Sequence, residues 1–192
     1  SMGGNLVLKM AGEADERGLS PLRGVCAVCP SLELEPCVKR MEAPRNFFYQ
    51  WFFVSGLRRR LLRKAALYSQ IYSPKELEGV RSIRSFDDRI TAPHSGYRDA
   101  ADYYYRASAA RVADKITAPT LVLFAQDDPL VPPEIFRIAP LVGNSHITIH
   151  AEAHGGHCSF ISGDPAERHW AEARVVEFCA GRSELLARRQ LP

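Results

Sequence analysis

No stretch of this chain stays apolar for the ~18 to 20 residues that a bilayer-crossing helix needs, and its start lacks a basic segment followed by an apolar one. Neither a membrane-spanning nor a secreted protein is indicated. Charge of one sign is scarce too: 25 Lys and Arg stand against 22 Asp and Glu, mostly interleaved, for a net charge of +3. That balance gives no reason to expect nucleic acid as a partner. Cysteine is sparse and odd in number, at five, and Cys26 and Cys29 lie inside an apolar, strand-like stretch. A disulfide framework is therefore not expected, and a reducing, cytoplasmic compartment fits. The Cys26-x-x-Cys29 spacing could suggest a metal, but no second CxxC or HxxxH pair follows at zinc-site spacing. The pair reads as buried strand thiols, with no metal site. Internal repeats and low-complexity tracts are also missing.

What is present is the make-up of one globular domain with a real core: 192 residues, 46% hydrophobic and 24% charged. Leu6, Val7, Leu8, Met10 and Ala11 have the density of a buried helix, opened by Gly3-Gly4-Asn5 and closed in the polar stretch from Gly12 to Ser20. The run Gly24 to Cys29, ended by Pro30, reads as a strand of a parallel sheet buried on both faces. From about Pro36 to Arg111 the pattern is helical. Thr120 to Ala125 is a second buried strand, leading through Gln126-Asp127-Asp128-Pro129 to a helix that begins near Pro132-Pro133-Glu134. The alternating run His146 to His150 is a third strand. It enters the loop His154-Gly155-Gly156-His157, and a closing helix spans about Pro165 to Cys179.

Strands that alternate with helices imply a parallel sheet with right-handed crossovers, whose functional loops gather at the carboxyl ends of the strands. Asp127, Asp128, His154 and His157 all fall there. An Asp before Pro is commonly a turn residue, and a His beside a double Gly is commonly an exposed loop residue. Ester hydrolysis by a serine nucleophile needs a base to take its proton and a carboxylate to orient that base, and residues of both kinds stand at these strand ends.

The stretches S-M-G-G-N-L-V-L-K, F-D-D-R-I-T-A-P-H-S-G-Y-R-D-A-A-D-Y-Y-Y, P-T-L-V-L-F-A-Q-D-D-P-L-V-P and H-G-G-H-C-S-F-I resemble the YheT/EMB8-like (ABHD1/ABHD3-like) branch of the α/β-hydrolases. The resemblance runs nearly end to end. It implies an α/β fold, namely the C-terminal half of an α/β-hydrolase with parallel strands, flanking helices and a helical cap insertion. In that layout residues 1–192 are one partial domain, with its core at 1–36 and 112–192 and the cap at 37–111. The resemblance further implies Ser1 as nucleophile, matching the last three positions of G-x-S-x-G with Met2 and Gly3, Asp128 as the triad acid and His157 as the base. The family's loop pattern favours Asp128 over Asp127, and its G-G-H placement favours His157 over His154.

The backbone N–H of Met2 is the implied first oxyanion donor, and the second is expected from a loop outside this chain. The chain is accordingly expected to lack its N-terminal half and to be a weak esterase alone. In the insertion, Asn46 to Val54 is unusually apolar, and Phe48, Trp51 and Phe52 are candidates to line an acyl pocket, with packing of the cap as the plainer role. The basic run Arg58, Arg59, Arg60, Arg63 and Lys64 reads as a solvated helix face, and a membrane-surface role is the lesser reading. Tyr103, Tyr104 and Tyr105 read as structural. The expected partner is a small-molecule ester, short- or medium-chain or lipid-like, and no cofactor is expected. Thioesterase or lipase action, or a binding role without turnover, are the alternatives.

Overall fold

A computed structural model describes residues 1–18 and 21–189. In chain order its principal elements are α1 (Met2–Glu16), β1 (Val25–Val28), α2 (Leu34–Met41), α3 (Phe47–Leu67), α4 (Ala100–Ala107), β2 (Thr120–Ala125), β3 (Ile147–Glu152) and α5 (Trp170–Arg189). They fall into two compact units, one of residues Ser1–Glu33 and Ser108–Pro192, the other of Leu34–Ala107.

The first unit is built on a three-stranded parallel sheet of order β1-β2-β3. Val25 to Val28 pair with Thr120 to Leu123, and Thr120 to Ala125 pair with Ile147 to Glu152. The continuous apolar run Thr120–Ala125 is buried at every residue, as a strand covered on both faces must be. β3 alternates half-buried Ile147 and Ile149 with exposed Thr148 and His150, which suits its place at the side of this sheet. Because all three strands run the same way, the loops that follow them emerge at one edge.

Gly3 and Gly4 do not open α1 but lie inside it, since the helix begins at Met2. Gly3 has open space around it, whereas Gly4 and, further along, Gly12 serve close packing. A Cβ on Gly4 would stand 2.9 Å from Pro30 Cβ, and one on Gly12 would stand 2.4 Å from the Val112 carbonyl. Leu8 and Ala11 are fully buried, and a leucine so placed contributes about 1.5–3 kcal/mol. Asn5, also fully buried, accepts a hydrogen bond from the Ala109 amide at 2.8 Å, tying the helix to the segment before β2. The helix closes at Arg17, and the last two residues of the stretch expected to close it, Leu19 and Ser20, lie outside the described residues.

The helix expected near Pro132 is instead a 3-10 turn, Pro133–Arg137, followed by one short α-turn, Ala139–Val142. Pro133 and Pro140 each lack an N–H, so each starts a turn and neither can continue one. Phe136 still reaches the core, stacked on Phe124 with ring centroids 4.0 Å apart. The closing helix begins at Trp170, later than expected, after a 3-10 turn at Pro165–Glu167.

The second unit is helical. Leu61 of α3 packs with Leu77, Val80, Phe86 and Ile90, and Val54 and Ala65 are buried on the same helix. The basic run of α3 is not uniformly solvated: Arg59, Arg60, Arg63 and Lys64 are exposed, but Arg58 donates to the carbonyls of Leu77 at 3.3 Å and Val80 at 3.0 Å. Of the three consecutive tyrosines only Tyr104 is buried. Its hydroxyl donates to Asp87 at 2.7 Å, while burial pushes the Asp87 carboxyl above its ordinary pKa. Tyr105 is exposed. Among the described residues no helix is long and apolar enough to cross a membrane.

Candidate active site

The carboxyl edge of the sheet in the first unit gathers the loops after β1, β2 and β3. Asp128 leaves β2 three residues past Ala125, and its side chain is 1% exposed. A bare carboxylate there would be costly, and the fold supplies it with partners. One oxygen accepts the amides of Leu130 at 2.8 Å and Val131 at 3.0 Å; the other lies 2.8 Å from Nδ1 of His157. Burial works to raise the Asp128 pKa, but the His157 contact and the two amides outweigh it and hold the group ionised. The same contact, helped by Cys158 and opposed by burial, pushes His157 up to about 9.

Asp127 points elsewhere. It accepts the amides of Gly155 at 3.0 Å and Gly156 at 2.8 Å and faces His154 Nδ1 at 3.4 Å. The Gly156 amide foremost holds it below the usual carboxylate range. Asp127 thus straps the loop that carries His157, and Asp128 meets the imidazole itself. Glycine is required in that loop: a Cβ on Gly155 would lie 2.6 Å from the Phe160 ring, and Gly156 takes φ +56°.

Ser1 stands at the N-terminus of α1, beside the end of β1. Its main-chain nitrogen donates to the Val28 carbonyl at 2.7 Å and lies 3.9 Å from Cys158 Sγ, next in the chain to His157. Its carbonyl accepts the Asn5 amide at 3.2 Å. Met2 opens the first turn of the same helix, where an N–H has no partner within the helix itself. Phe48, Trp51 and Phe52 lie on α3 in the other unit, 79%, 62% and 69% exposed. They are solvent-facing rather than core residues of that unit.

Two cysteines meet at this edge, one of which, Cys158, escaped the sequence reading, while Cys29 was read only as a buried strand thiol. Cys29 directly follows β1 and is fully buried; Cys158 directly follows His157 and is exposed. Their sulfurs and a ring nitrogen of His157 lie within 4.8 Å of one another. Both cysteines take left-handed backbone, φ +43° and +65°, a conformation that typically costs a non-glycine residue about 1–3 kcal/mol. The thiols also polarise each other: hydrogen bonding between them lowers the Cys158 pKa and raises that of Cys29. Their positions at the ends of two strands were the available signal. The CxxC spacing joins Cys29 to Cys26 in sequence, whereas Cys26 interacts with Cys179 and Cys29 with Cys158.

Comparison with known proteins agrees with this architecture. The "Putative esterase YheT" of Escherichia coli is 33% identical over 181 residues, 93% of this chain and 52% of that protein. Mouse "Phospholipase ABHD3" is 28% identical over 85% of this chain and 39% of its own length, and human "Monoacylglycerol lipase ABHD2" is 26% identical over 93% and 46%. The chain spans about half the length of the curated relatives it matches. A crystal structure of the monoacylglycerol lipase of Paleococcus ferrophilus superposes with a TM-score of 0.50 at 20% identity, covering 95% of this chain and 66% of that one, which bears on the fold alone. Residues 1–169 match the model of the alpha/beta hydrolase family. With that span matched, and with YheT and ABHD3 among its relatives, this chain belongs to the alpha/beta hydrolase family, in its YheT/ABHD-like branch.

Proposed function

We propose that this chain supplies the nucleophile, acid and base of a serine esterase acting on carboxylic esters. The observation that carries the reading is the buried Asp128 carboxylate, held by two amides and 2.8 Å from the His157 imidazole. In the proposed reaction the Ser1 hydroxyl attacks the acyl carbon while His157 takes its proton. Asp128 keeps the ring in the required tautomer and stabilises its charged form. His157 then returns the proton to the leaving alcohol, and an acyl-enzyme on Ser1 is cleared by water through the same steps in reverse. The Met2 amide, at the positive end of α1, would face the developing oxyanion.

Names of the relatives support ester chemistry in the branch, and Phe48, Trp51 and Phe52 suit a short- or medium-chain acyl or lipid-like group. The family layout puts the second oxyanion donor outside these residues, so turnover by residues 1–192 alone should be weak. The chemistry needs no metal and no organic cofactor. A fluorophosphonate probe tests the assignment: covalent labelling at Ser1 that is lost in Ser1→Ala supports it, and labelling that survives Ser1→Ala overturns it.

A further inference from the structure

Cys29 lies more than a hundred residues before the adjacent His157 and Cys158, and the two segments follow different strands. They nonetheless bring three soft or borderline donor atoms within 4.8 Å of one another. A zinc-class ion bound at about 2.3 Å from sulfur and about 2.0 Å from nitrogen sets its tetrahedral ligands about 3.8 Å apart or less, so small side-chain rotations would close this cluster on an ion.

Three further features fit. Nδ1 of the imidazole is held by a buried carboxylate, the carboxylate–histidine arrangement that orients metal-bound histidines through their other nitrogen. Cys29 is fixed, fully buried with its amide bonded to the Leu123 carbonyl at 2.7 Å, while Cys158 is exposed and gives an ion a way in. Both cysteines also hold left-handed backbone conformations, which place their side chains toward one another at local cost.

We infer that Cys29, Cys158 and His157 form a binding site for a soft divalent cation, zinc in type, and that its occupancy silences the hydrolase by taking the imidazole. The ion is inhibitory rather than catalytic. Binding releases the thiol protons to solvent, leaves a fourth position open and removes the base that Ser1 needs. The silencing rests on the esterase reading; the site itself does not.

The test separates the two. The purified protein, kept reduced with a phosphine, is titrated with Co2+ and then with Zn2+ in the absence of ester. One equivalent of Co2+ should give thiolate-to-cobalt charge-transfer absorption in the near ultraviolet, and zinc should bleach it. Cys29→Ser and Cys158→Ser should each weaken zinc binding at least about 100-fold, and Asp128→Asn, which only orients the histidine, by about 10–100-fold. Cys26→Ser should bind as the parent does. Because Cys29 is buried, its variant is compared by thermal unfolding, and the exposed Cys158 supplies an independent variant. Absence of the charge-transfer band, or undiminished zinc binding in both variants, overturns the site. Zinc that binds without slowing ester turnover overturns the silencing. Metal binding by a protein whose Ser1 takes no fluorophosphonate label leaves the site standing and removes the esterase reading instead.

Discussion

Two acid–imidazole pairs lie side by side at the carboxyl edge of the sheet, built from neighbouring residues of the same two loops. In Asp127–His154 the side chains are 43% and 90% exposed and 3.4 Å apart; in Asp128–His157 they are 1% and 21% exposed and 2.8 Å apart. The residue types are identical. What separates them is how the backbone spends its amides: Leu130 and Val131 pin Asp128 in place, whereas the amides of Gly155 and Gly156 draw Asp127 into holding the loop. A charge pair in water is worth little, and one pinned in a dry pocket sets a tautomer.

The sharpest way to break the comparison is to disable each pair in turn. In the protein that hydrolyses ester, His157→Ala or Asp128→Asn should lower kcat by about three decades or more, while Asp127→Asn and His154→Ala should each cost less than about tenfold. Equal losses from the two pairs, measured with p-nitrophenyl butyrate, would erase the distinction.

A second expectation concerns pH. His157 must be neutral to act as base, and its pKa is raised to about 9, so kcat/KM should climb as pH rises toward 9, by roughly 50-fold from pH 7 if that group alone governs. Asp128 is the leading cause of the rise and Cys158 the second, so Cys158→Ser should move the climb to lower pH. A profile that is flat above pH 7 contradicts a raised His157 pKa.

Smaller effects belong to the loop. Gly155→Ala drives a methyl against the Phe160 ring and the Ala125 methyl and should destabilise the protein by about 1–3 kcal/mol in denaturant unfolding. Asp127→Ala loses two exposed amide contacts and should cost about 1 kcal/mol at neutral pH. Because folding lowers the Asp127 pKa, that contribution is present above the unfolded value and disappears as pH falls through the folded one. The gap in Tm between the parent and Asp127→Ala should therefore close in acid.

Much of this was legible before any coordinates. Thr120–Ala125 announces a strand buried on both faces because six consecutive apolar or β-branched residues leave no polar side to show. Gly4 misled because glycine marks both helix ends and close packing, and only its approach to Pro30 reveals which applies. Pro140 divides what periodicity joins into one helix. The thiol cluster stayed hidden because its members are 129 and 128 residues apart in chain order, at positions 29, 158 and 157, and spacing rules see only near neighbours. Asp127 and Asp128 cannot be told apart by residue type; their difference lies in which amides they meet.

The order of the sheet sets one more property. Asp128 hangs from β2, the strand paired on both sides and buried throughout, whereas His157 hangs from β3, paired in this sheet with β2 alone and partly exposed. Amide hydrogens of β2 should therefore exchange with solvent only on global opening, and those of β3 through smaller, more frequent excursions. The acid is moored to the slowest part of the molecule and the imidazole to a faster one. On warming, the imidazole should part from its carboxylate before the sheet as a whole is lost.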